Sequence, residues 1–346
     1  MVLRTPSSPH IHAPLSVSRM MLTVVAALIP GIIAYVWFFG WGIIIQILIA
    51  LVVALGSEAL MLHWRRRPVV PFILDGSAIV TALLLALSLP SLAPWWITVL
   101  GTAFAIVVAK HLYGGLGYNP FNPAMVGYVM LLISFPREMT LWPAPQMFAQ
   151  VDLSLGQTLA TIFTGHPPAG IGLDAVTMAT PLDQVKTELG MNFTIGEIFG
   201  RAETFGDFSG HATEWVGNWF LLGGLWLIYK RVITWHIPVA MLTGLLGTAT
   251  LFWLFYPDHY PSPMYHLFSG AAILGAFFIA TDPISAATTP KGRLIYGAGI
   301  GVLTYVIRSW GGYPEGVAFA VLLMNMAAPT IDHYTRPRVF GHERPQ

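Results

Sequence analysis

Met20-Met-Leu-Thr-Val-Val-Ala-Ala-Leu-Ile-Pro-Gly-Ile-Ile-Ala-Tyr-Val-Trp-Phe-Phe39 runs for twenty residues without a charge. As a helix rising 1.5 Å per residue it covers about 30 Å, the hydrocarbon thickness of a bilayer. Gly40 interrupts it, and Trp41–Leu62 repeats the pattern with Glu58 as its main exception. Working outward, further apolar runs cover Gly76–Leu89, Trp95–Val108, Pro123–Phe135, Trp215–Tyr229, Ile237–Phe255, Leu267–Ala280, Leu294–Ile307 and Gly316–Pro329. The third, fifth, eighth, ninth and tenth fall short of the ~20 residues that a straight span needs. Those runs are expected to extend into polar flanks or to be broken helices.

Composition agrees. Of 346 residues, 55% are hydrophobic and only 10% charged, against about 25% charged in soluble domains. The expected fold is an all-α integral membrane protein of about ten transmembrane helices. A net charge of +1 leaves no basic footprint for nucleic acid. The absence of cysteine removes disulfides, thiolate-held iron–sulfur clusters and thiol catalysis together. Any redox role must then use a cofactor held by other side chains. The polar stretch from Arg4 to Arg19 is longer than a signal-peptide n-region, and no small-residue cleavage site follows, so Met1 is expected to be retained.

Basic residues set the orientation. With the N-terminus inside, Arg4, Arg19, the Arg65-Arg66-Arg67 cluster, Lys110, Lys230, Arg231, Lys291, Arg293, Arg336, Arg338 and Arg344 all fall on the cytoplasmic side. The opposite turns at Gly40, Pro90–Pro94 and Asp258–Pro263 carry no Lys or Arg, and Arg308 is the one awkward charge. The long segment from about Pro136 to Glu214 then lies outside, which in a bacterium is the periplasm. It is acidic (Glu138, Asp152, Asp174, Asp183, Glu188, Glu197, Glu203, Asp207), and its length marks it as functional or as a small folded element.

The halves echo each other. Gly76-Ser-Ala-Ile79 is matched by Gly270-Ala-Ala-Ile273, each opening an apolar run that ends at a proline, Pro90 and Pro283. Gly114-Gly115 is matched by Gly311-Gly312. With five spans per half, the second copy must be upside down, so the expected architecture is two inverted five-helix repeats with one long periplasmic loop. The chain divides into a first membrane repeat (1–135), the outer loop (136–214), a second membrane repeat (215–332) and a cytoplasmic tail (333–346).

Within that frame a few residues carry candidate chemistry. Gly114-Gly-Leu-Gly-Tyr-Asn-Pro-Phe-Asn-Pro123 follows no strand and is no dinucleotide fingerprint. It suits a re-entrant turn in which Asn119 and Asn122 line a flavin or ion site, or a plain structural turn. Glu58, Lys110, Asp282, Arg308 and Glu315 are polar groups within or at the edge of apolar runs. Glu58 reads as a buried partner or a proton or sodium ligand, or else as a helix-end carboxylate near Arg65–Arg67. Asp282 is a second candidate for an ion pathway, although Asp282 and Lys110 at span ends also suit capping or snorkelling. The eleven histidines show no pairing that suggests haem and are read as structural or surface residues, with His10, His12 and His342 in the tails. No metal site is expected. In the outer loop, Asp174-Ala-Val-Thr-Met-Ala-Thr180 ends in a hydroxyl among small neighbours. Such a threonine can be esterified to the phosphate of FMN by a dedicated transferase. As a string alone it also fits an ordinary Thr/Ala loop.

The whole chain resembles the D subunit of the Rnf-type (Rsx) ion-translocating electron transport complex, related to the B subunit of sodium-translocating NADH:quinone oxidoreductase. The resemblance rests on Ser8-Pro9-His10, Trp37-Phe-Phe-Gly-Trp41, Leu112 through Ala124, Ala179-Thr-Pro-Leu-Asp183, Thr281-Asp-Pro-Ile284, Gly311 through Ala320, and Tyr334-Thr-Arg-Pro-Arg-Val339. It implies FMN joined by a phosphoester to Thr180, with Asp174, Thr177 and Ala179 as recognition positions for the flavin transferase. The family pattern has Gly where this chain has Ala175. The resemblance further implies a redox subunit, rather than an enzyme alone, in a bacterial inner-membrane complex that couples ferredoxin–NAD oxidoreduction to Na+ or H+ movement. Its partners would include a second covalent-FMN subunit. A non-covalent flavin, riboflavin, is a weaker implication. The rival reading is a non-redox channel or solute transporter on the same inverted repeat.

Overall fold

The computed structural model describes residues 17–201 and 204–336. Met1, Arg4, Ser8–His10, His12, Glu203, Arg338, Val339, His342 and Arg344 lie outside the described residues. Each of the ten apolar runs is mainly helical, the eighth being divided between two short helices. The first two are α1 (Val17–Phe39) and α2 (Gly42–Trp64), separated by the left-handed turn at Gly40. A short α3 (Val69–Ile73) leads into α4 (Ser77–Ser88). Next, α5 (Trp95–Phe104) continues as a π-helical stretch to His111, and α6 (Pro123–Ser134) closes the first half. Between the halves lie α7 (Pro136–Thr140), α8 (Leu155–Thr164), a 3-10 turn (Leu173–Ala175), α9 (Pro181–Gly190) and α10 (Ile195–Arg201). The second half holds α11 (His211–Tyr229), α12 (His236–Phe255), α13 (Pro263–Phe268), α14 (Ala272–Leu274, continuing as a π-turn to Ile279), α15 (Pro290–Trp310) and α16 (Val317–Thr335).

Among the described residues there is no strand, only the isolated bridges Pro143–Thr177 and Phe205–Gly210. The all-α expectation therefore holds. α1, α2 and α12 are each long and apolar enough to cross a bilayer unaided. Three of the five short runs resolve in the expected ways, while the third and fifth stay as the 12-residue α4 and α6. The eighth is broken around Gly270, while the ninth and tenth lengthen to 21 and 19 residues by taking in Lys291, Arg293 and Asp332. Large side chains such as Trp37, Val52, Leu254 and Met326 stand on the outer surface. An apolar surface of that extent belongs in lipid rather than water.

Both breaks have the same cause. Gly76 (φ 80°) and Gly270 (φ 61°) occupy the left-handed region, where a side chain is penalised. Each stops a short helix and restarts the chain as the next one. The second glycine echo is not of this kind. Gly114 and Gly115 are left-handed (φ 134° and 98°), whereas Gly311 is extended and packed against the Ile307 carbonyl.

The halves meet where α1 packs on α11 and α6 on α16. Within the second half α12 and α15 pack closely at Gly297 and Gly301, a small-xxx-small pair that lets backbones approach. The 136–214 segment carries its own small core of Leu182, Val185 and Ile198, joined by Tyr265 of α13.

Candidate functional site

Thr180 is the N-cap of α9. Its φ/ψ of −66°/155° is extended, Pro181 occupies the first helical position, and its Oγ1 accepts a hydrogen bond from Asp183 N–H at 3.2 Å. Pro181 has no N–H and Asp183 N–H is held by Thr180 Oγ1, so the helix start offers the Leu182 N–H and the positive end of the backbone dipole, a setting that favours an anion such as a phosphate. The stretch before it is pinned to the first half. Ala144 N–H donates to Val176 O and Met178 N–H to Trp142 O, both at 3.0 Å, while Gln146 N–H reaches Phe38 O at the end of α1 at 2.8 Å.

The stretch after Thr180 is pinned to the second half. Lys186 Nζ donates to the carbonyls of Gly311 (2.5 Å), Arg308 (3.0 Å) and Tyr313 (3.0 Å) at the C-terminus of α15. Burial pulls this ammonium below the ordinary lysine value, with neighbouring Asp183 acting in the other direction. Tyr265 OH donates to Pro181 O at 2.7 Å. Thr180 therefore bridges the seam between the halves.

Beneath it opens a cavity with about 1750 Å3 of empty space, part of it open to solvent. Met178, Ala179 and Thr180 form one edge. Tyr35, Phe39, Tyr128, Phe220 and Tyr313 supply aromatic walls, with Gln184, His211 and Glu315 as polar groups. Asp174 and Thr177 do not line it. Asp174 is exposed in the 3-10 turn, and Thr177 Oγ1 bonds back to Leu173 O at 2.9 Å. Ala175 belongs to that turn and has no positive φ, so the backbone there does not demand the glycine of the family pattern.

A second cavity, with about 800 Å3 of empty space, lies at the other end of the same seam. Met20, Ser77, Lys110, Asn119, Asn122, Phe278 and Asp282 line it. From Val24 here to Tyr35 in the first cavity is eleven residues of α1, about 16 Å along the helix. Asn122 caps α6 through Met125 N–H (3.3 Å). It also ties the halves together by donating to Ile279 O (3.2 Å) and Asn325 Oδ1 (3.1 Å). Asn119 is buried, its amide nitrogen held by Phe121 O at 2.9 Å, and its Oδ1 has no partner among the described residues. That acceptor on the cavity lining fits a ligand bearing an N–H. Asp282 turns back on its own chain, accepting from Ser285 Oγ at 2.7 Å.

Of the ion-pathway candidates, Asp282 lines this cavity and Glu58 does not. Glu58 Oε2 is buried against Lys110 Nζ at 2.8 Å, with His111 Nε2 at 3.2 Å, and Lys110 also donates to Ser77 Oγ. Lys110 thus neither snorkels nor caps; it turns inward because a buried carboxylate awaits it. Arg308, awkward in the charge count, is buried likewise. It donates to Glu315 at 3.0 Å and to the carbonyls of His266 (2.6 Å) and Ser269 (2.9 Å) at the Gly270 break. Sequence reasoning names these charges but not their pairing, and it misses Lys186 and Tyr265. The only signal for Lys186 is a lone lysine in an acidic loop. Among the described residues no cluster could hold a metal ion.

Fold and site define a helical membrane protein whose halves meet along a seam with a cavity at each end, one of them edged by a helix-capping threonine. Residues 4–341 match the NQR2, RnfD, RnfE family, and the chain belongs to it. It is 54% identical over 345 residues to the D subunit of the ion-translocating oxidoreductase complex of Aeromonas salmonicida, covering 98% of each chain. The protein of the same name from Aeromonas hydrophila is 55% identical at the same coverage. That of Escherichia fergusonii is 52% identical over 351 residues, 99% of this chain and 100% of the relative.

Proposed function

We propose that this chain is the D-type membrane subunit of an ion-translocating oxidoreductase complex and carries FMN esterified through its phosphate to Thr180 Oγ1. The observation that carries the reading is the placement of Thr180, a helix-capping hydroxyl on the edge of an aromatic-walled cavity between two membrane halves. The N-terminus of α9 would hold the phosphate oxygens, Ala179 leaves the approach open to a flavin transferase, and Asp174 stands exposed where that enzyme could read it. The aromatic walls offer flat apolar surface to an isoalloxazine ring. When bound, the flavin supplies one- and two-electron redox chemistry. The chain's own residues hold it at the seam.

In this reading a second flavin, riboflavin, occupies the inner cavity against Asn119 and Asn122. The unpartnered Asn119 Oδ1 and the continuous seam support it. The topology is ten spans in two inverted repeats in a bacterial inner membrane, with both termini cytoplasmic and the Thr180 loop periplasmic. The left-handed breaks at Gly76 and Gly270 support the repeat. The bond from Arg67 to Gly114 O supports a common cytoplasmic end for α2 and α5. The remaining parts come from partners. They include a second covalent-FMN subunit and the subunits that exchange electrons with ferredoxin and NAD while Na+ or H+ moves.

The test is in-gel flavin fluorescence of the denatured chain, purified from cells that possess the transferase. The wild-type band fluoresces and the Thr180→Ala band is dark. A dark wild-type band would favour the rival channel or transporter. Fluorescence that persists in Thr180→Ala would move the attachment site.

A further inference from the structure

The helix α8 is built inside out for a water-exposed element. It is closed at both ends. Ser154 and Gln157 bond reciprocally as a capping box, and Gly165 is left-handed at the C-terminus. Its sequence, Leu-Gly-Gln-Thr-Leu-Ala-Thr-Ile-Phe-Thr, contains no charge. A surface helix of a soluble protein buries its apolar stripe. Here Leu155, Leu159 and Phe163, spaced i, i+4, i+8, are exposed along with Gly156 and Ala160, while Thr158 and Thr161 are buried beside Ile162. The inward threonines need no water, because Thr158 Oγ1 donates to Ser154 O at 2.9 Å and Thr161 Oγ1 to Gln157 O at 2.8 Å.

The exposed stripe continues onto the membrane helices. Phe163 stacks on Trp95 at 6.4 Å, α8 packs against α2, and Trp41, Leu48, Val52 and Leu100 extend the apolar surface along α2 and α5. Tryptophans at helix ends mark the level of the lipid headgroups. Polar Asp152 and His166 stand exposed just beyond the two ends of α8.

We propose that α8 lies in the membrane–water interface at the Trp41/Trp95 end of the bundle, with Leu155, Leu159 and Phe163 dipped into lipid. No Lys or Arg stands between Asp152 and His166. The helix is therefore held by apolar burial rather than by attraction to anionic headgroups. The device fixes one end of the segment that leads to Thr180 at the level of the bilayer, and it does not depend on the flavin reading.

The chain contains no cysteine, so single nitroxide labels are unambiguous. Leu155→Cys, Leu159→Cys and Phe163→Cys, placed one at a time in the complete complex in lipid nanodiscs, are compared with Val52→Cys in the lipid-facing belt and Met191→Cys in the loop. The expected result is collision with oxygen close to that at Val52, and collision with a water-soluble nickel chelate several-fold below that at Met191. Nickel accessibility equal to Met191 at all three positions would overturn the proposal. A label immobile and shielded from both reagents would overturn it too, in favour of a protein partner on this face.

Discussion

At the scale of single residues, charge decides most. Glu58, Lys110, Arg308 and Glu315 read in the sequence as interruptions of apolar runs, and the structure resolves them into one buried pair, Glu58 with Lys110, and one partly buried pair, Arg308 with Glu315, at opposite ends of the bundle. Truncating one partner of a buried pair strands the other charge, at a cost of about 3–5 kcal/mol, whereas replacing both is far milder. Lys110→Met should therefore lower the thermal midpoint of the detergent-solubilised protein sharply, and Lys110→Met/Glu58→Met should recover most of the loss. The presence of these charges can be read in the sequence, but their pairing cannot. Glu58 and Lys110 are fifty-two positions apart, and only the packing of α2 beside the π-helical end of α5 brings them to 2.8 Å. Thr180 is a different case, since its local string fits an ordinary Thr/Ala loop as well as a modified hydroxyl, and the fold adds the helix cap and the cavity edge.

At the scale of elements, apolar runs translate into helices because hydrophobic length is a local property. Their breaks are legible where glycine marks them, as at Gly76 and Gly270. The loop is less legible. Its short helices depend on caps such as Ser154 and Thr180, and on tertiary partners that no periodicity reveals. Lys186 shows why, since its meaning comes from carbonyls at and just beyond the end of α15, more than a hundred residues away. Lys186→Met removes the ammonium that donates to them, and carbonyls left unsatisfied in a half-buried site cost about 1–3 kcal/mol. The expected outcome is faster amide exchange in α9 and around Gly311–Tyr313, with covalent flavin content unchanged. Loss of the flavin in this variant would mean that α9 must be anchored before the transferase can act.

At the scale of the whole molecule, the proposed function joins a seam, two cavities and a periplasmic loop into one electron path coupled to ion movement. The topology makes a direct prediction. In intact cells with a permeabilised outer membrane, Asp174→Cys should react with a membrane-impermeant maleimide, and Arg66→Cys should react only after the inner membrane is broken. The reverse pattern would invert the orientation and place Thr180 in the cytoplasm. Positive-inside counting gives this expected orientation from charge alone, because the turns at Pro90–Pro94 and Asp258–Pro263 lack Lys and Arg. The cavities have no such signature, since their walls come from helices far apart in the chain. The most direct test of the central claim is mass spectrometry of the proteolytic peptide that contains Thr180, from protein made in cells with the flavin transferase. The expected result is a peptide heavier by one FMN joined through loss of water, with fragmentation placing the bond on Thr180. An unmodified peptide, or an FMN adduct placed on Thr177 instead, would contradict it.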